Sequence, residues 1–251
     1  MNAAPIGYGT GLLPSHDSRN ADYPVSAMLD PTAALVSKTW AQPQRFDQGQ
    51  TPRCVGFSLA QELSAEPVVI PCSDWTGPNI YNLAQKLDEW PGEGYDGTSP
   101  LAGLKALQQW GYVGEYRWAA TVEDVLNSLS QIGPVIMAGP WLTGMFTPDA
   151  QGYVNVAGTS GNIGHCYLLG AVDAASGDTT LRQTWGPHWS VLGWDGKLRA
   201  DSIRQLLAMG TQAAIITTRF DPTPVNPPAP VAKGGIVLTE ASGAQRKFAE
   251  A

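Results

Sequence analysis

Cysteine is scarce in this chain. Among 251 residues there are three cysteines, Cys54, Cys72 and Cys166. An odd and small number of cysteines excludes the disulfide framework that stabilises small secreted domains. The sequence therefore favours a reducing compartment, and we expect Cys72 and Cys166 to be structural thiols.

The chain also lacks long apolar runs and a basic N-terminal region. No span reaches the roughly 18 uninterrupted apolar residues that a membrane helix needs. Residues 1–9 contain neither the basic stretch nor the apolar stretch of a secretory signal. We expect a protein that stays in the cytoplasm of the cell that makes it, without a membrane partner.

Charge of either sign is sparse. Charged residues make up 15% of the chain, and Lys+Arg 15 against Asp+Glu 22 gives a net charge of -7. The acidic residues are scattered along the chain and form no tail. This balance argues against nucleic acid as a partner.

What the sequence has in quantity is apolar, aromatic and turn-forming residues. Hydrophobic residues make up 43% of it, and it contains 28 glycines, 20 prolines and nine tryptophans. This composition predicts a loop-rich domain of enzyme size with aromatic packing. We expect an N-terminal arm (1–35), a central domain (36–220) and a proline-rich C-terminal arm (221–251).

Both arms lack sustained periodicity, and both are suited to contacts with protein partners. Residues 221–230 predict an extended polyproline strut, and residues 235–239 predict a short strand beyond it. A polar tail follows Glu240.

Periodicity within the central domain changes from helical to strand-like along the chain. Helical spacing predicts helices over 54–65, 79–90, 100–110 and 122–130, the last behind the capping residue Thr121. Short β-branched or apolar runs predict strands over 134–138, 166–172, 180–185 and 213–218. Helices followed by strands imply an α+β fold with two segregated halves.

One segment joins a glutamine, a turn and a cysteine at the start of the first helix. Gln48-Gly49 lies six residues before Cys54, and Phe57-Ser58 follows it. This spacing resembles the Gln-Gly, Cys and aromatic-Ser signature of the papain-like cysteine peptidases. The resemblance implies a two-lobed fold, with Cys54 at a helix N-terminus in a helical half and an antiparallel β half carrying a histidine.

Five further features resemble the same family in the same order, over roughly residues 38–218. Trp40 stands where the family usually has a tryptophan, and residues 97–107 resemble the glycine turn and helix that line its substrate cleft. Residues 133–135 resemble the strand entering the β half. Residues 164–170 resemble the strand that bears the histidine, and residues 184–186 the Trp-Gly turn after the third catalytic residue.

The chemistry of such a site can be stated from its residues. A thiol with a pKa near 8.5 attacks a carbonyl only as a thiolate, so a helix N-terminus and an imidazolium must favour the charged form. His165 is the candidate base, because His16 lies in an arm and His188 follows a turn. The side-chain amide of Gln48 and the backbone N–H of Cys54 would stabilise the oxyanion.

The third catalytic position departs from the family pattern. The family has asparagine before Ser-Trp-Gly, and this chain has Gln183 before Thr184-Trp185-Gly186. Glutamine carries the same amide on one more methylene, so it can orient His165 only if the backbone or rotamer adjusts. The resemblance also implies that Trp185 shields this hydrogen bond, and that Gly97, Thr98 and Trp185 contact substrate.

Each of these residues has a structural alternative. Cys54 could be a small buried hydrophobic residue, and His165 could be a core histidine with both ring nitrogens hydrogen-bonded. Gln48 could be a polar loop residue, and Trp185 could be an aromatic residue that only packs. Thr51 stands where secreted family members carry a disulfide cysteine, in keeping with a reducing compartment. About 35 residues precede the domain, which is enough to lie across a cleft and too few for the inhibitory pro-domain of secreted relatives.

Two hypotheses follow. The first is a thiol peptidase that hydrolyses amide bonds of a peptide or protein substrate through a Cys54 acyl-enzyme, with His165 as base and then acid, and without metal or cofactor. The second is an inactive structural or binding protein on the same fold. The resemblance is closest to bacterial and bacteriophage members without a pro-region, which implies a virion component as one form of this second hypothesis.

Overall fold

The computed structural model describes residues 8–15 and 17–220, and the backbone of residues 237–239 and 245–247. The chain divides into a large unit, Met1–Asp221, and a small one, Pro222–Ala251. In the small unit, β8 (Val237–Thr239) pairs antiparallel with β9 (Gln245–Lys247). The predicted polyproline strut from residue 221 to 230 and the predicted polar tail lie outside the described residues, apart from β9.

Five helices belong to the large unit. They are α1 (Cys54–Leu63), α2 (Thr76–Leu87), α3 (Pro100–Gln109), α4 (Val122–Gln131) and α5 (Ala200–Ala208). Two of them begin at side-chain caps, since Ser99 accepts from the N–H of Ala102, and Thr121 and Asp124 form a reciprocal capping box. The first four helices agree with the prediction to within a few residues.

The strands of the large unit form one antiparallel sheet of seven. They are β1 (Lys38–Thr39), β2 (Val113–Ala119), β3 (Val135–Pro140), β4 (Gly164–Val172), β5 (Thr179–Arg182), β6 (Asp195–Leu198) and β7 (Gln212–Arg219). The order across the sheet is β2-β7-β3-β4-β5-β6, with β1 paired to β4. The prediction of an α+β architecture with a helical half and an antiparallel β half is confirmed.

Central strand β4 separates two hydrophobic cores, because successive side chains on a strand face opposite sides. Cys166 and Leu168 pack in the core that contains α1 and α3. Tyr167 and Leu169 pack in the other core, which contains α4 and α5. The N-terminal end of α1 therefore lies against the first residues of β4.

Some elements do not follow the predicted order of helices and then strands. Strand β2 precedes α4, and α5 lies between β6 and β7. Strand β2 is absent from the prediction although Glu115 and Arg117 alternate with aromatic residues as in a half-buried strand. Strand β6 contains an Asp-Gly pair that is typical of a turn. The strand predicted over 180–185 ends at Arg182, which leaves Gln183 in the turn after it.

None of the helices in the described residues is long and apolar enough to cross a membrane.

Candidate active site

Cys54 is the first residue of α1, and every residue of this helix is buried. Ser58, one turn later, donates its hydroxyl to the carbonyl of Cys166 at 2.7 Å, which ties the helix to β4. Burial raises the pKa of the Cys54 thiol to about 12, although the backbone N–H groups of Cys166, Val55 and Gly11 oppose the shift.

His165 is the second residue of β4 and is fully buried. Its ring stacks on Trp185 with centroids 4.3 Å apart, and Trp141 meets it edge-on at 5.1 Å. Burial between these rings lowers the pKa of His165 to about 3, although a hydrogen bond with Gln183 opposes the shift. The imidazole is therefore neutral in this state.

The extra methylene of Gln183 does not prevent contact with the histidine. His165 Nε2 and Gln183 Oε1 are 2.6 Å apart. The backbone of Gln183 is held on both sides, because its N–H donates to the carbonyl of Trp194 and its carbonyl accepts from Gln61 Nε2, each at 3.0 Å. The side chain thus extends from a fixed backbone to the ring.

This contact also fixes the tautomer of His165. Gln183 Oε1 accepts from the backbone N–H of Thr184 at 3.1 Å, so the atom near the ring is an oxygen and not the amide nitrogen. His165 Nε2 must then donate, which leaves a lone pair on Nδ1. Nδ1 is buried and has no hydrogen-bond partner in the described part of the chain, and the same holds for Gln183 Nε2.

Gln48 reaches into the same region from the loop before α1. Its Oε1 accepts from the hydroxyl of Thr184 at 2.5 Å, and its backbone N–H donates to the carbonyl of Thr184 at 2.8 Å. Its Nε2 donates to the carbonyl of Thr51 at 2.8 Å and to the carbonyl of Gly9 at 3.2 Å. The amide is thus held in one orientation, with one N–H directed at Thr51 in its own loop and the other at Gly9.

The turn predicted to contact substrate is held by two side-chain hydrogen bonds. The N–H of Gly97 donates to the hydroxyl of Tyr81 at 2.9 Å, and Thr98 Oγ1 donates to Asp88 Oδ2 at 2.7 Å. The backbone of Thr98 is left to face the cleft.

The described part of the N-terminal arm runs through the cleft. The N–H of Thr98 donates to the carbonyl of Gly11, and the N–H of Leu13 donates to the carbonyl of Thr98, each at 3.0 Å. On the β half, the carbonyl of Gly164 accepts from the N–H groups of Gly11 at 3.4 Å and Leu12 at 3.3 Å. Residues 8–13 therefore lie across the cleft, and Cys54 is completely buried.

The structure brings most of the predicted site residues together. Cys54 and His165 lie on abutting elements without a mutual hydrogen bond through Nδ1. Gln183 and Trp185 contact His165, and Gln48 contacts Thr184 between them in the chain. The sequence did not reveal the roles of Gly164, Tyr81 and residues 8–13. Glycine alternating with polar residues near the N-terminus gave no periodic signal for those positions.

The chain has the papain-like fold. Xylellain, a cysteine protease from Xylella fastidiosa, superposes with a TM-score of 0.60 at 16% identity, covering 84% of this chain and 97% of xylellain. Bromelain from Ananas comosus in complex with the E64 inhibitor gives a TM-score of 0.54 at 13% identity, covering 73% of this chain and 99% of bromelain. A procathepsin L 3 from Tenebrio molitor larval midgut gives 0.57 at 15% identity, covering 75% of this chain and 72% of that protein.

Comparison at the level of sequence gives no match. No protein-family model matches the chain, and no curated protein does. The likeness to the solved structures is one of fold.

Proposed function

We propose that this protein is a thiol peptidase that hydrolyses amide bonds in a peptide or protein substrate. The observation that carries the proposal is the hydrogen bond from His165 Nε2 to Gln183 Oε1. This bond leaves Nδ1 free to accept a proton, on the same strand, β4, against which the start of α1 packs. A core histidine would be expected to use both ring nitrogens. Here one nitrogen is held and the other is unused within the described residues.

In the proposed reaction, Cys54 Sγ attacks the substrate carbonyl and its proton passes to His165 Nδ1. The oxyanion that forms is stabilised by Gln48 Nε2 and the backbone N–H of Cys54. The intermediate expels the amine, which takes the proton from Nδ1. Water then attacks the acyl-enzyme with Nδ1 as base, and the acid leaves as the thiol is reprotonated.

Gln183 is the positioning residue in this scheme, because it sets the tautomer and orientation of His165 without touching substrate. Trp185 covers the same hydrogen bond by stacking on the imidazole. Gly97 and Thr98 would bind substrate through their backbone. No metal takes part in the proposed steps.

A second candidate is an inactive binding protein on the same fold. It is favoured by the complete burial of Cys54 and by a pKa near 12, which keeps the group a thiol. Contacts of the two arms with partners, a virion role and the cytoplasmic location stay predictions of the sequence.

The two candidates are separated by a hydrolysis assay on the full chain with a peptide library and mass-spectrometric detection of the products. Cys54→Ala should abolish cleavage, and Cys72→Ala, which alters a thiol outside the site, should leave it unchanged. Cleavage that survives in Cys54→Ala would overturn the peptidase proposal. No cleavage by the wild type or by a variant with an uncovered site would favour the binding protein.

A further inference from the structure

Gln61 joins the helix of Cys54 to the turn that contains Gln183. It follows Cys54 by seven residues, or two turns of α1, so both side chains lie on the same face of the helix. The side chain is fully buried, and its Nε2 donates to the backbone carbonyl of Gln183 at 3.0 Å. The helix that carries Cys54 therefore also holds the backbone of the residue that contacts His165.

The orientation of the Gln61 amide is fixed by a second glutamine. Gln42 Nε2 donates to Gln61 Oε1 at 3.0 Å, which leaves the nitrogen of Gln61 to donate to Gln183. Gln42 is oriented in turn by Arg182, because Arg182 Nη1 donates to Gln42 Oε1 at 3.2 Å. A guanidinium group only donates hydrogen bonds, so each amide in this series has one allowed orientation.

Arg182 is itself held by backbone groups. Its Nη2 donates to the carbonyls of Trp40 and Gly170. The guanidinium lies so close to Gly170 that a Cβ there would come within 2.1 Å of Arg182 Cζ. Burial lowers the pKa of Arg182 to about 10, which leaves it charged at neutral pH. The series of hydrogen bonds that ends at Gln183 therefore starts from a fixed and charged donor.

The position of the Gln183 backbone decides what its side chain can reach. A glutamine side chain is longer than that of asparagine by one carbon–carbon bond, about 1.5 Å. A backbone that moved towards His165 would push the side chain out of its present contact, and a backbone that receded would break that contact. The hydrogen bonds to Gln61 and to the carbonyl of Trp194 hold the backbone where Oε1 lies 2.6 Å from the imidazole.

We propose that Gln61 is a positioning residue for the peptidase site proposed above, and that the series Arg182, Gln42 and Gln61 adapts this site to a glutamine at the third catalytic position. Gln61 acts on His165 through the backbone of Gln183. The kinetic consequence of this inference rests on the proposed function, and its structural consequence does not.

The first test requires no activity. In the full chain labelled with ¹⁵N-histidine, the proton on His165 Nε2 should exchange slowly with water, because it is buried and hydrogen-bonded to Gln183. Its NMR signal is assigned by its loss in His165→Gln. Gln61→Met should raise the exchange rate at least about tenfold. The matched control is Gln205→Met, which should leave the rate unchanged, since Gln205 Nε2 donates to the carbonyl of Val156 at 3.1 Å.

A second variant covers the case in which Gln61→Met does not fold. Gln42→Met alters a half-buried side chain and removes the donor that orients the amide of Gln61. It should raise the exchange rate of the His165 proton in the same direction. Unchanged exchange in folded Gln42→Met protein, or in folded Gln61→Met protein, would overturn the proposal.

The second test is a double-mutant cycle on kcat/KM for a cleaved peptide. Gln61→Met and Gln183→Asn should each lower kcat/KM by about tenfold, because each disturbs the contact with His165. Once Gln61→Met has released the backbone, the shorter asparagine can approach the ring, so adding Gln183→Asn should cost less than about threefold. Additive losses would overturn the adaptation to glutamine.

Failure of this inference is distinguishable from failure of the proposed function. If Gln61→Met accelerates exchange of the His165 proton but the wild type cleaves no peptide, the positioning by Gln61 stands and the peptidase proposal fails. If the wild type cleaves peptides and Gln61→Met matches it in both cleavage and proton exchange, the peptidase proposal stands and the positioning role fails.

Discussion

The two ends of α1 bury titratable side chains to the same depth and use them differently. Near the C-terminal end, Glu62 and Arg219 form an ion pair with side chains 0% and 2% exposed. Arg219 Nη1 also donates to the carbonyls of Glu62 and Ala65, each at 2.8 Å. At the N-terminal end, Cys54 lies beside the strand that carries His165, and burial keeps both neutral.

The difference separates a fixed connection from the end at which the proposed reaction would take place, which we call the reactive end. A buried charge that faces its counter-charge and several carbonyls stabilises one arrangement of α1 and β7. At the other end, His165 Nδ1 has no partner in the described residues, and the carbonyl of Gly9 accepts from Gln48 Nε2, one of the two donors proposed for the oxyanion. Glu62 Oε2 and Arg219 Nε also lack a partner in the described residues, but they belong to an ion pair, whereas the imidazole is neutral.

The largest expected effect comes from removing the ion pair at the C-terminal end of α1. Arg219→Met leaves the carboxylate of Glu62 buried without a counter-charge, so we expect the free energy of unfolding to fall by about 3–5 kcal/mol. Arg204→Met is the matched control, because the pairs of Arg204 with Asp201 and Glu123 are exposed. It should change stability by less than about 1 kcal/mol. Urea unfolding measures both, and equal losses would contradict the comparison.

The second-largest expected effect tests the contact of Gln183 with His165. Gln183→Ala removes the acceptor of His165 Nε2 and should lower kcat/KM for a cleaved peptide by about 100-fold, since the imidazole loses its orientation. Gln183→Asn, which keeps the amide one methylene shorter, should recover part of the loss. A purely structural role would not shift the pH profile of kcat/KM or separate these two variants. Equal activity in all three proteins would contradict the assigned role.

The sequence predicted the elements that carry Cys54 and His165 well, and it did not predict where residues 8–13 lie. The segment from Gln48 to Cys54 and the strand of His165 carry short-range signals: a turn, a helix start and an apolar run. The contact of Gln183 with His165 could not be decided from sequence, because it depends on how β5 ends at Arg182 and where the turn after it is held.

The arm was predicted to be long enough to cross the cleft, but its place there could not be read from its residues. Gly9 and Gly11 fit against Thr51 and Pro52, more than 35 residues away in sequence. Close approach of two backbones leaves no periodic pattern, since it selects only for the absence of a side chain. Gly9 and Gly11 are therefore required by tertiary packing, which an analysis of periodicity does not detect.

The third effect concerns pH. His165 has a pKa of about 3 where it is buried and about 6.5 when exposed, so the unfolded chain binds the proton first as the pH falls. Stability should be complete above about pH 6.5 and should fall by up to about 1.4 kcal/mol per pH unit between 6.5 and 3. The thiol of Cys54 acts at the other extreme, because its raised pKa lowers stability as the pH rises above about 9.

Urea unfolding at pH 7, 5 and 4 measures the acidic side of this profile. His165→Gln should flatten it, whereas His188→Gln, which alters an exposed histidine, should leave the slope unchanged. If the unfolding free energy falls with pH equally in wild type and His165→Gln, the imidazole is hydrated in the folded protein. Water would then reach the reactive end.

The smallest expected effect removes one hydrogen bond between residues 8–13 and the cleft. Trp185→Phe keeps an aromatic ring against His165 and Tyr8 but removes the N–H that donates to the carbonyl of Gly9 at 2.7 Å. The loss of about 1 kcal/mol should raise the rate of Cys54 alkylation by iodoacetamide, measured by peptide mapping, about fivefold. Trp189→Phe is the control, since Trp189 Nε1 donates at 3.2 Å to the carbonyl of Phe146 and not to residues 8–13.

If Trp189→Phe accelerates alkylation as much as Trp185→Phe does, general loosening of the aromatic cluster explains both results. If only Trp185→Phe does so, access of the reagent to Cys54 depends on a donor directed at one backbone carbonyl. The reactive end of α1 would then be closed by single hydrogen bonds of about 1 kcal/mol each, which can break one by one. The ion pair at the other end offers no such stepwise opening, because removing either partner strands a buried charge.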